Sequence, residues 1–72
     1  MSLEPPESWP GSDGAPLACR EKLKMLAENH RELAQVMRDA FEDAVLMGVD
    51  EAEMRRILAA MVAALPSPKR RS

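Results

Sequence analysis

The stretch Gly48-Val49-Asp50-Glu51-Ala52-Glu53-Met54 decides the fold of this chain. Its chemistry ends one helix and begins another within three residues. Gly48 is suited to the left-handed conformation that closes a helix C-terminus. Asp50 is an N-cap, with Glu53 three residues on to complete a capping box. Val49 and Met54 occupy the two positions of a hydrophobic staple. The four signals agree on a helical hairpin.

Upstream, a long helix is expected over about 17–47, with Pro16 in its first turn. Cys19, Leu23, Leu26, His30, Leu33, Met37, Ala40, Ala44 and Met47 follow a 4-3-4-3 spacing. That is a coiled-coil seam sustained for about four heptads. Downstream, a short helix is expected over about 51–65. Met54, Ile57, Leu58, Met61, Val62 and Leu65 form its apolar face, which with Phe41 makes the expected hairpin core. Pro66 ends it.

The two helices are unequal. At 1.5 Å per residue they measure roughly 45 and 22 Å, so the short one covers only half of the long one. Leu23, Leu26 and Leu33 would stay wet in a monomer, each forgoing roughly 1.5–3 kcal/mol. The expected remedy is a homo-oligomer, dimer or tetramer, joined along Cys19, Leu23, Leu26, His30, Leu33 and Met37. The rival is a different protein that supplies the missing face.

Composition points the same way. Seventy-two residues with one cysteine and one histidine hold neither an internal disulfide nor the four ligands of a structural zinc site. Oligomerisation is the staple left to so short a chain. Aromatics are Trp9 and Phe41 alone, and the apolar content is Ala, Leu, Met and Val, which suits helices. No metal site and no cofactor are expected. Catalytic residues are not expected either, because no nucleophile has a positioned base and no glycine loop cradles phosphate.

Residues 1–16 carry Pro5, Pro6, Pro10 and Pro16 with Gly11 and Gly14 and read as a disordered or loosely ordered lead-in. Trp9 within it has two readings, an incidental tail residue or an aromatic anchor that docks on the folded part or on a partner. His30 is either a polar seam residue that sets register or a pH-sensitive contact between two copies. Residues 66–72 form a basic tail.

The charges divide along the chain. The lead-in has acids and no base. Residues 17–65 carry seven bases and nine acids, and the tail carries Lys69, Arg70 and Arg71. This balance gives no general electrostatic attraction for nucleic acid, and Arg55, Arg56, Lys69, Arg70 and Arg71 are the candidate phosphate contacts. No apolar run reaches membrane-span length, no secretory leader is expected, and one unpaired cysteine fits the cytoplasm.

From Arg31 to Ile57 the chain resembles the GapR-like family of small bacterial nucleoid-associated proteins. The matching features are Arg38-Asp39, Glu42 and Ala44, the Gly48-x-Asp50 turn, and Met54-Arg55-x-Ile57. The resemblance implies a long helix followed by shorter ones, assembling into dimers and higher oligomers around DNA. That family relies on lysine-rich helices for phosphate contact, and residues 25–65 hold no lysine. The expected function is that of a small bacterial-type accessory or regulatory factor, non-enzymatic, acting through self-association and protein binding. The alternatives are a DNA-binding regulator, or an antitoxin or inhibitor that covers a basic partner.

Overall fold

The computed structural model describes residues 3–69. The chain is an all-α helical hairpin of a long helix α1, Arg20–Leu46, and a short helix α2, Glu51–Ala63. It divides into two compact units between Arg38 and Asp39. The first holds the lead-in and most of α1; the second holds the last turns of α1, the connection and α2.

The glycine closure and the Asp50 cap of the connection are built as their residue types require, while the Glu53 carboxylate, expected to complete a capping box, turns to Arg56 instead. Val49 N–H donates to the Ala44 carbonyl at 2.9 Å and Gly48 N–H to the Val45 carbonyl at 3.0 Å. This paired closure is a Schellman motif. It needs a positive φ at Gly48, which is +110°, a value that a β-branched residue resists. Asp50 is extended at φ −61°, ψ 135°, and its Oδ2 accepts from Glu53 N–H at 3.0 Å. Met54 N–H then donates to the Asp50 carbonyl at 2.9 Å, starting the α2 ladder. The Glu53 carboxylate lies 3.1 Å from Arg56 Nη1.

Both helices are shorter than the periodicity suggests. α1 starts at Arg20 and not near residue 17, because Leu17 N–H donates to the Trp9 carbonyl at 2.8 Å. Cys19 takes the N-cap position, its carbonyl accepting from Leu23 N–H at 2.9 Å. α2 ends at Ala63. Leu65 N–H bonds back to the Val62 carbonyl at 3.2 Å, a tightened turn, since a residue before proline disfavours the α region.

The lead-in, expected as disordered or loosely ordered, carries a hydrogen-bonded turn. Pro10 and Pro16 form an isolated antiparallel bridge. Neither proline can donate, and the bonds come from their neighbours: Leu17 to Trp9, and Gly11 N–H to the Ala15 carbonyl at 2.7 Å. Prolines fit here because they occupy the non-hydrogen-bonded pair of the ladder. Asp13 Oδ1 accepts from Ala15 N–H at 3.0 Å. A Cβ at Gly11 would stand 2.7 Å from the Ala15 carbonyl oxygen, so no larger residue fits there without a shift.

Among the described residues no side chain is buried. Phe41, Met54 and Leu58 of the expected hairpin core are half-buried. Ile57, Met61, Val62 and Leu65 are instead 51, 63, 64 and 73% exposed. The physical reason is width. An apolar stripe this broad exceeds what one facing helix covers, and here Arg55 takes part of the contact arc by lying over Phe41.

Candidate functional site

In the first unit the α1 seam is uneven. Leu23, Leu26 and Met37 are half-buried and Leu33 is 62% exposed. His30 is half-buried and meets Trp9 of its own chain, with ring centroids 6.0 Å apart and planes at 73°. This is a perpendicular aromatic contact. His30 Nδ1 is sequestered with no hydrogen-bond partner. Of the two readings of Trp9, the geometry is that of the docked anchor. The signal was present in sequence: Asp13-Gly14 is a turn doublet, and Trp9-Pro10 and Pro16-Leu17 flank it.

Cys19 is exposed at the start of α1. A hydrogen bond from the Lys22 backbone N–H holds its thiol below the usual cysteine range. Slight desolvation opposes this, and the Glu21 N–H and the Lys22 charge add to it. The unpaired donors of a helix N-terminus stabilise a thiolate in this way. A shallow groove of about 220 Å³, lined by Leu3, Glu4, Arg31, Ala34, Gln35 and Arg38, runs beside the same helix.

In the second unit the Arg55 guanidinium carbon lies 4.6 Å from the Phe41 ring centroid. At an exposed site such a cation–π contact is worth about 0.5–1 kcal/mol. Arg56 is paired with Glu53. Both candidate phosphate contacts on α2 thus have partners within the chain. Lys69 lies near the end of the described residues, its backbone N–H donating to Ser67 Oγ at 3.2 Å. Arg70 and Arg71 lie outside them.

A second groove, about 300 Å³, is lined by Phe41, Val45 and Leu46 with Glu42 and Glu51. Beyond it, the run Ile57-Leu58-Ala59-Ala60-Met61-Val62-Ala63-Ala64-Leu65 contains no charged or polar side chain. A helix that is apolar around its whole circumference normally lies inside a protein, yet here Ile57, Met61, Val62 and Leu65 are exposed and Leu58 alone of the large side chains is half-buried.

Among the described residues no group of three or more His, Cys, Asp or Glu side chains is arranged to hold a metal ion. No helix among them is long and apolar enough to cross a membrane. The arrangement offers faces for contact: the α1 seam, the groove at the hairpin, and the uncharged half of α2. Comparison of the chain with protein-family models, with curated proteins and with solved structures gave no match.

Proposed function

We propose that this chain is a non-enzymatic accessory or regulatory protein that acts through helix-mediated self-association and through binding other proteins. One observation carries the reading. The chain is 46% hydrophobic, yet none of its described side chains is buried. Each large apolar side chain left in water forgoes roughly 1.5–3 kcal/mol, against a total stability of about 3–5 kcal/mol for a small domain. A partner that covers these faces is therefore coupled to folding itself.

Sedimentation equilibrium over the micromolar range, with helicity followed by circular dichroism on the same samples, tests this. The expected result is a dimer or larger species whose helicity falls as dilution dissociates it. A monomer that keeps its full helicity on dilution overturns the reading.

A further inference from the structure

The uncharged half of α2 and the hairpin groove lie in one unit, and their chemistries match. The groove is lined by the apolar side chains Phe41, Val45 and Leu46 together with two carboxylates, Glu42 and Glu51. The segment Ile57–Leu65 has no charge, and the basic run Lys69, Arg70 and Arg71 follows it within the sequence. We propose that a second copy of this chain lays the segment Ile57–Leu65, the second half of its α2 and the turn that follows, into the Phe41–Val45–Leu46 groove, and receives the same contact in return. This inference rests on the self-association reading and relocates its main contact from the α1 seam to α2.

Three arguments select a second copy as the occupant. The first is charge. The acids of α2 lie in its first turn, at Glu51 and Glu53, and the basic run follows its far end. An antiparallel pair of α2 helices turns the C-terminal end of each, with Lys69 beyond it in the sequence, towards Glu42 and Glu51 of the other copy. A parallel pair would set acids against acids. The second is the helix dipole, which favours the same antiparallel choice. The third is area. Ile57, Met61, Val62, Leu65, Leu46 and Met47 are all exposed. Six such side chains at on the order of 100 Å² each supply most of the ~800 Å² that one partner gives a specific interface. Each copy contributes both groove and segment, so the contact is isologous and closes as a dimer.

The test uses the full chain in a Cys19→Ser background. Leu46→Cys and Leu65→Cys are made as separate proteins, then mixed in equal amounts and oxidised. Leu46 is the last residue of α1, before the turn into α2, and Leu65 lies just past the far end of α2, a helix about 20 Å long, so the two are set to meet only between copies. The expected result is a cross-linked heterodimer in the mixture, with little cross-linking of either protein alone. In parallel, Met61→Glu should raise the dimer dissociation constant at least about a hundredfold by placing an unpaired charge in the contact. Leu26→Glu, on the α1 seam, should leave it nearly unchanged. The cross-link reads the contact even if Met61→Glu fails to fold. Dissociation by Leu26→Glu without a mixed cross-link overturns the inference and leaves self-association standing. A wild type that stays monomeric overturns both, and assigns the groove to a different protein or a lipid surface.

Discussion

The Trp9 indole stands nearly perpendicular to the His30 imidazole, with 6.0 Å between ring centroids. The contact joins the lead-in to α1. Its basis is local. The Pro10–Pro16 bridge and the Leu17-to-Trp9 bond hold the start of the turn, so little freedom remains to be lost when the ring docks.

Trp9 is the sole tryptophan, and its emission reports this contact alone. His30→Ala should move that emission to the red. Trp9→Ala should lower stability by about 0.5–1.5 kcal/mol, the range for such an aromatic pair. Native emission indistinguishable from that in urea would show the ring undocked.

The hairpin turn gives a second prediction. Gly48→Val should destabilise by about 1 kcal/mol or more, because φ at that position is +110°. Asp50→Ala should cost about 1 kcal/mol through loss of the bond to Glu53 N–H. Urea midpoints read both, and midpoints equal to the parent's would place the helix boundary elsewhere.

Cys19 should alkylate with a pH midpoint below that of an unstructured cysteine. The sign follows from its cause. Lys22 and Glu21 N–H groups and the Lys22 charge favour the thiolate, so a larger thiolate fraction exists at neutral pH. Unfolding removes the helix N-terminus, and the midpoint should rise in urea towards the ordinary value. A pH–rate profile unchanged by urea would contradict the capping geometry.

The two arginines of α2 should behave differently from each other. Arg55→Ala removes a contact with Phe41 and should cost about 0.5–1 kcal/mol. Arg56→Ala breaks an exposed pair with Glu53 and should change stability by less, within about 0.5 kcal/mol. Thermal or urea unfolding of the two variants side by side gives the order, and the reverse order would displace Arg55 from the ring.

A fifth expectation concerns duplex DNA. Binding should be weak at physiological salt. At low salt it should follow a salt slope of about −3, set by the Lys69, Arg70 and Arg71 charges. Deletion of residues 66–72 should abolish it in a mobility-shift titration. A tight, sequence-selective complex that survives the deletion would favour the nucleoid-protein resemblance over the protein-binding reading.

The parts legible in sequence are those fixed by neighbours three or four positions apart. Gly48, Asp50 and Glu53 act within one turn of helix, and their geometry follows from residue type. The helix assignments of Leu23 to Ala44 and Met54 to Met61 rest likewise on periodicity. The start of α1 was not legible, because Leu17 N–H is taken by a carbonyl eight residues away, which no helical period encodes. The lead-in was hidden by its own composition: prolines and glycines read as absence of order, while here they occupy the positions a bridge and a tight turn require. The outward-facing half of α2 could be listed as apolar from sequence, but which arc meets α1 depends on Arg55 lying over Phe41.

The want of a buried side chain among the described residues also bears on how this chain should respond to heat. Unfolding raises heat capacity chiefly by wetting apolar surface, and a lone chain whose large apolar groups already touch water has little more to wet. Its stability curve should be correspondingly flat, and its melt broad. On the self-association proposed above, the steep, heat-capacity-rich transition belongs to the step that takes those groups out of water. Calorimetry should then find a melting temperature that climbs with protein concentration, so that the quantity setting how firmly each helix is held is the amount of protein around it.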